Sequence, residues 1–137
     1  MALVGGGGAG NVAGSNPAGT GTTLNYIGDH CYAYSGELTP GGGASADTTA
    51  LLFTTGNSYA MVEINWTNMS TSATVDTFFQ MSMDSQIIFN ARATNDETAT
   101  MQSPIKLIIP PYTTVEIKVG DAAANTMTVI LAGRVYA

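Results

Sequence analysis

The sequence predicts an all-β protein: an antiparallel β-sandwich of about eight strands behind an extended glycine-rich N-terminal arm. After residue 28, apolar and polar residues repeatedly alternate with a period of two, whereas no window keeps apolar residues at helical spacing for long. Clusters of Gly, Pro, Asn and Asp separate the alternating segments. This punctuation is typical of strands joined by turns.

The first 28 residues differ from the rest of the chain, because they contain nine glycines and no charged side chain. Glycine loses more backbone entropy on ordering than any other residue, and few side chains here repay the loss. We therefore interpret residues 1–28 as an arm pinned between neighbouring subunits, and residues 29–137 as the β-sandwich domain. The alternative is that the arm folds back on its own domain.

The first half of the domain contains three predicted strands. The third strand shows its faces most clearly, because Val62, Ile64 and Trp66 point one way while Glu63 and Asn65 point the other. The apolar set marks the core face. The three strands cover His30–Glu37, Thr49–Thr54 and Tyr59–Asn68.

A hairpin is predicted next, with Asp84-Ser85 as its turn. Its two strands cover Val75–Met83 and Gln86–Arg92, and the polar residues Ala93–Gln102 that follow are predicted to form an exposed loop. The core face of the first hairpin strand carries Val75, Thr77, Phe79 and Met81.

Three further strands complete the domain. The first ends at Pro110-Pro111, because proline cannot donate to a ladder. We expect a turn that starts at Gly120-Asp121, and a bulge at Gly133 in the last strand. The three strands cover Ile105–Ile109, Thr113–Val119 and Thr126–Tyr136.

These strands favour two packed antiparallel sheets in a jelly-roll or Greek-key arrangement, for which about 110 residues suffice. A closed barrel is the alternative. No repeat longer than a strand recurs in the sequence, which argues against propellers and solenoids.

The composition excludes several classes of function. Only four residues are basic against ten acidic ones, and the net charge is -6. Because Arg92, Lys106, Lys118 and Arg134 are scattered singly, the sequence predicts no binding to nucleic acid. The chain has no apolar stretch of the roughly 20 residues that a membrane span needs, and its start lacks a basic segment typical of a secretory signal.

Groups that carry chemistry are sparse in the sequence. The run Gly5–Gly10 lacks the Lys and the flanking strand and helix of a phosphate loop. His30 is the only histidine, so it and Asp29 form at most a weak metal pair, and a histidine exposed at the start of a strand is the simpler reading. The pair Asp96-Glu97 is interpreted as solvated rather than as a calcium or acid–base site, and Cys31 as a buried reduced cysteine.

One resemblance emerges from the C-terminal half of the chain. The segment Pro104–Val119, the hairpin around Phe89 and the final strand ending Leu131–Tyr136 resemble small β-sandwich structural proteins of tailed bacteriophages. The resemblance covers roughly residues 59–137, and the start Met1–Gly10 resembles the arms with which such proteins clasp neighbours. It implies a virion component that decorates or cements the head, or an equivalent tail or fibre module, and it carries over no catalytic residue.

We therefore expect a structural virion protein on the outer capsid surface. Its expected partners are other virion proteins, the major capsid protein first, and further copies of itself, with no enzymatic activity, cofactor, metal, nucleic acid or membrane. The alternative is a tail or fibre module that binds carbohydrate or a receptor through Tyr32, Tyr34 and Tyr59. The residues expected at the assembly interface are Met1, Ala2, Leu3, Val4, Asn11, Val12, Asn16 and Pro17.

Overall fold

The computed structural model describes residues 21–69, 75–95, 100–101 and 104–136. In these residues the chain is all-β, with ten strands in two antiparallel sheets and no helix. The predicted all-β class and the two-sheet arrangement of a β-sandwich are therefore confirmed. No ladder between described strands joins the two sheets, which distinguishes this arrangement from a closed barrel.

The first sheet has six strands in the order β1-β2-β10-β4, with β7 and β8 pairing with successive parts of the other side of β4. All of its ladders are antiparallel. Its strands are β1 (Asn25–Ile27), β2 (His30–Tyr34), β4 (Tyr59–Met69), β7 (Thr100–Met101), β8 (Ile105–Ile109) and β10 (Thr126–Tyr136).

The second sheet has four strands in the order β3-β9-β5-β6, again antiparallel throughout. Consecutive strands alternate between the sheets except at the β5–β6 hairpin and at the β1–β2 and β7–β8 steps. Its strands are β3 (Thr48–Thr54), β5 (Val75–Met83), β6 (Gln86–Asn95) and β9 (Thr114–Asp121).

The core lies between the two sheets and is centred on an aromatic pair. Trp66 of β4 and Phe79 of β5 are both buried, and their rings stack with centroids 5.5 Å apart and planes 18° apart. Val62 and Ile64 point inward with Trp66, while Glu63 lies exposed on the opposite face. The predicted faces of β4 are thus confirmed, and the two-residue period accounts for them.

Residues just before β1 connect the two sheets at one side of the sandwich. The Gly21 N–H donates to the Tyr34 carbonyl of the first sheet at 2.8 Å, and the Leu52 N–H of the second sheet donates to the Thr22 carbonyl at 2.9 Å. The Leu24 side chain is buried in the core. Paired structure therefore begins within the segment whose composition predicts an arm, while residues 1–20 of that arm lie outside the described residues.

The structure corrects two predictions about loops. The stretch Ala93–Gln102 is not a loop throughout, because β6 stays paired with β5 as far as Asn95 and residues 100–101 form β7. Gly120 and Asp121 do not start a turn either, because the β9 ladder with β5 continues through them. Asp121 is fully buried, and its carboxylate accepts the backbone N–H groups of the turn residues Ala123 (2.8 Å) and Asn125 (3.2 Å).

Gly133 is not a bulge. The ladder between β10 and β4 runs without a register shift and pairs Gly133 with Val62. A Cβ at this position would lie 2.0 Å from the Met61 carbonyl oxygen. The glycine is therefore needed because two backbones approach closely, which is the other reason for glycine inside a strand.

The β5–β6 hairpin turns at Asp84-Ser85, as predicted. Both residues have positive φ, 49° and 69°, which matches the right-handed twist of the flanking strands. The Asp84 N–H donates to the Thr114 carbonyl at 2.8 Å, and the Asp84 carboxylate accepts the Thr114 N–H at 2.9 Å. The tip of the hairpin is thereby fastened to the start of β9.

We predict that Trp66→Ala lowers the free energy of unfolding by about 3–5 kcal/mol, because it removes a buried aromatic side chain at the centre of the core. Glu63→Ala on the solvent face of the same strand is the control, with an expected change within about 0.5 kcal/mol. Urea unfolding followed by fluorescence or circular dichroism measures both. Similar losses for the two variants would contradict the assigned faces of β4.

We also predict that Gly133→Ala destabilises the domain by about 1–3 kcal/mol, because the added methyl group meets the Met61 carbonyl. Gly56→Ala is the matched control, since a Cβ there has no atom within 4 Å, and its effect is expected to stay below about 1 kcal/mol. Thermal unfolding compares the two variants. If Gly133→Ala were as stable as Gly56→Ala, the close approach of β10 and β4 would be disproved.

Candidate functional site

The outer face of the first sheet carries a hollow at its centre. Ala132 of β10 pairs with Tyr32 of β2 on one side and with Glu63 of β4 on the other. The next outward row places Ile130 between Tyr34 and Asn65. Because Ala132 is the smallest side chain of its row, the face is depressed there. We call this depression the sheet-face hollow.

The sheet-face hollow has a volume of about 490 Å³ and is open to solvent. Tyr32 and Tyr34 lie two residues apart on β2, and their ring centroids are 5.1 Å apart with the planes tilted by 39°. Glu63 and Asn65 line the opposite side. A second depression of about 430 Å³ continues toward β8 and shares Glu63 with the first. The hollow thus combines aromatic rings with hydrogen-bonding side chains, as small-molecule sites do.

An ionic cluster borders the sheet-face hollow. The Asp29 carboxylate binds the Arg134 guanidinium, and the His30 Nδ1 lies 3.1 Å from Asp29 Oδ1. The hydrogen bond from Arg134 holds the pKa of the Asp29 carboxyl below its usual range, and the same contact raises the pKa of Arg134. Arg134 also lies 5.9 Å from the ring centroid of Tyr136. The Asp29–Arg134 pair therefore stays ionised across the neutral range.

A second surface feature lies on the β5–β6 hairpin. Ile87, Ile88 and Phe89 are consecutive, and they are 58%, 48% and 38% exposed. The register between β5 and β6 shifts next to Ile88, which lets three neighbouring apolar side chains reach the surface. We call these three residues the hairpin patch. Phe89 also contacts Phe79 edge-on, with ring centroids 5.9 Å apart, so the patch is anchored on the core.

The basic residues are divided between the two sheets. Arg134 and Lys106 belong to strands of the first sheet, and Arg92 and Lys118 to strands of the second. Arg92 forms an ion pair with Asp76, as Arg134 does with Asp29. These contacts neutralise two of the four cations, so the described residues form no continuous basic surface.

The candidate residues from the sequence have several outcomes. Cys31 is a buried free cysteine, and burial raises the pKa of its thiol to about 11, so the thiol is protonated at neutral pH. The three tyrosines predicted to form one binding surface do not lie together. Tyr59 stacks on Tyr136 with ring centroids 5.2 Å apart, whereas Tyr32 and Tyr34 contact each other. The remaining candidates, Asp96, Glu97 and the expected interface residues Met1, Ala2, Leu3, Val4, Asn11, Val12, Asn16 and Pro17, lie outside the described residues.

The residues opposite the tyrosines cannot be predicted from the sequence. Alternation places Glu63 and Asn65 on a solvent face, but their proximity to Tyr32 and Tyr34 depends on the register of three strands. The hairpin patch did leave a signal in the sequence. Three consecutive apolar residues in a strand cannot all point to one core.

The chain matches no known protein family, no curated protein and no solved structure. Within the described residues, no helix is long and apolar enough to cross a membrane. In the same part of the chain, no three His, Cys, Asp or Glu side chains are grouped closely enough to hold a metal ion. The site must therefore be interpreted from its own chemistry.

We predict that Arg134→Gln raises the pKa of Asp29 toward the ordinary carboxyl value, because it removes the charge-assisted hydrogen bond. A lowered carboxyl pKa means that the pair stabilises the fold above the ordinary Asp pKa, and that this contribution is lost as the pH falls through the lowered value. NMR titration of the Asp29 carboxyl carbon measures the change. Arg92→Gln, whose partner lies on the other sheet, is the control and should leave the Asp29 titration as it is; an unaltered titration in Arg134→Gln would refute the prediction.

Proposed function

We propose that this protein is a structural subunit of a bacteriophage virion, which decorates or cements the outer capsid surface through contacts with other virion proteins. The hairpin patch carries this proposal. Runs of three exposed apolar residues are unfavourable on a solitary soluble domain unless a partner covers them. The patch is also held in place, by the Asp84–Thr114 hydrogen bonds and by the contact of Phe89 with Phe79, so little ordering entropy is lost on binding.

The finer fold that we propose is a jelly roll. One sheet contains β2, β10, β4 and β8 in this spatial order, and the other contains β3, β9, β5 and β6. Eight strands that pass between two sheets in this way form two nested Greek keys, and this architecture is common in capsid proteins. The strand order thus supports the same function as the resemblance of residues 59–137.

The glycine-rich arm supplies the second contact in this proposal. An uncharged segment can lie across a neighbouring subunit without the desolvation cost of buried charges. Its glycines allow close approach of the two backbones, and Leu3 and Val4 are the apolar side chains expected to anchor it. The acidic net charge of -6 suits an outer position away from packaged nucleic acid.

A second candidate function is saccharide or receptor binding by a tail or fibre module. The specific observation in its favour is the sheet-face hollow, where Tyr32 and Tyr34 face Glu63 and Asn65. Saccharide binding and virion assembly use different surfaces in this protein, so one chain can perform both.

The proposal predicts that Ile87→Glu and Ile88→Glu reduce incorporation of the chain into virus particles at least about tenfold, because each buries a charge at the contact. Both side chains are exposed, so the free energy of unfolding is expected to change by less than about 0.5 kcal/mol. Ile108→Glu is the matched control, since Ile108 is 55% exposed but belongs to β8 of the first sheet. Incorporation is measured by immunoblotting of purified particles.

The same assay tests the arm with a deletion of residues 1–20, which spares the hydrogen bonds of Gly21 and Thr22. We expect normal unfolding and reduced incorporation. Wild-type incorporation of both glutamate variants would contradict the role of the hairpin patch, and wild-type incorporation of the deletion would contradict the role of the arm.

A further inference from the structure

We propose that the sheet-face hollow binds a neutral saccharide, with Tyr32 and Tyr34 as the stacking surface and Glu63 and Asn65 as the hydrogen-bonding side. This inference rests on the second candidate function and deepens it, because it names the class of sugar and the role of each residue on a surface separate from the hairpin patch. The two surfaces lie on different sheets, so each can be altered alone.

The spacing of the strands sets the width of the site. Tyr32 and Glu63 are both paired with Ala132, and Tyr34 and Asn65 are both paired with Ile130. Two strand spacings of about 4.8 Å put the two sides roughly 10 Å apart. A gap of this width takes one six-membered ring with its hydroxyl groups, and the Ala132 methyl group leaves room for it at the floor.

The chemistry of the two sides is complementary to a sugar. A pyranose ring has an apolar face of C–H groups and an edge of hydroxyl groups that both donate and accept hydrogen bonds. The rings of Tyr32 and Tyr34 are tilted relative to each other, and they offer an apolar surface on which the C–H groups of the sugar can pack. Glu63 accepts hydrogen bonds through two carboxylate oxygens, while the Asn65 amide both donates and accepts.

The charges around the hollow favour a neutral ligand over an acidic one. Glu63 repels a carboxylate or sulfate, and Arg134, the arginine that lines the hollow, is already bound by Asp29. Lys106, the partner of Glu63 in the β4–β8 ladder, lines the second depression rather than the hollow. The protein as a whole carries a net charge of -6, which disfavours anions further. The ligand class is therefore a polyhydroxylated ring without charge.

Two other features of the hollow fit a saccharide rather than a wholly apolar ligand. The hollow is shallow and open, so a bound ring keeps one edge in water and leaves its outer hydroxyl groups solvated. One side of the hollow is polar, and an apolar ligand would desolvate Glu63 and Asn65 without giving them hydrogen-bond partners. A hydroxylated ring satisfies both sides.

The test uses the full chain and the methyl pyranosides of glucose, galactose, mannose and N-acetylglucosamine, titrated separately and followed by amide and methyl chemical shifts. Glucuronic acid is the acidic probe. The variants are Tyr34→Ala, which removes one ring, and Glu63→Gln, which keeps the shape and removes the charge. Tyr112→Ala and Glu116→Gln are the matched controls, because Tyr112 lies in the β8–β9 turn and Glu116 belongs to the second sheet.

We expect at least one neutral pyranoside to shift Ala132, Gly133 and Tyr34 with a saturable curve. Each hollow variant should raise its Kd at least about tenfold, while both controls stay within about twofold of the wild type. Glu63→Gln is expected to keep a folded amide spectrum because Glu63 is exposed, so the test stands even if Tyr34→Ala unfolds.

Three results would overturn the proposal: no shift at these residues with any neutral pyranoside, unchanged affinity in Glu63→Gln, or tighter binding of glucuronic acid than of the neutral sugars. The outcome is separable from that of virion assembly. Glu63→Gln is expected to enter particles normally, and Ile87→Glu is expected to bind the saccharide normally, so either proposal can fail alone.

Discussion

The stack of Trp66 on Phe79 is the contact on which the rest of the structure depends. It joins β4, which pairs with three strands of the first sheet, to β5, which pairs with two strands of the second sheet. Both rings are buried, so any shift of β4 by one residue would turn the indole into water. The same constraint sets the outer face: with Trp66 inside, Glu63 and Asn65 must point to solvent.

The aromatic contact also reaches the surface on the opposite side of the sandwich. Phe79 touches Phe89 edge-on, and Phe89 belongs to the hairpin patch. One aromatic chain, Trp66–Phe79–Phe89, therefore connects β4, which carries Glu63 and Asn65, to the patch proposed for assembly. The proposed functions use different surfaces, but both surfaces depend on the same core for their rigidity.

The alternation of residues was enough to predict the core faces, but not which strands are neighbours. The inward set of β4 follows from a period of two, whereas the meeting of Tyr32 with Glu63 across Ala132 depends on pairings between residues far apart in the chain. Glycine was ambiguous in the same way. A glycine in a strand indicates a bulge or a close approach, and only the position of the Met61 carbonyl decides for Gly133.

Local composition gives wrong loop predictions at two places where the chain continues a strand. Asp121 follows a glycine and precedes three alanines, which is typical of a turn, yet its buried carboxylate accepts two backbone N–H groups at the end of β9. Ala93 similarly lies in a polar stretch but continues the β6 ladder opposite Thr77. In both places long-range pairing outweighs local composition.

The two backbone hydrogen bonds of Gly21 and Thr22 have a mechanical consequence. A tensile force applied to the chain ahead of Gly21 meets the first sheet at the Tyr34 carbonyl and the second sheet at the Leu52 N–H, one residue later. The load is thus shared between both sheets instead of peeling a single edge strand, and Leu24, buried directly behind, resists extraction. A domain tethered by this end therefore meets the pull first with one hydrogen bond to each sheet and then with the buried Leu24, before the load reaches edge strand β1.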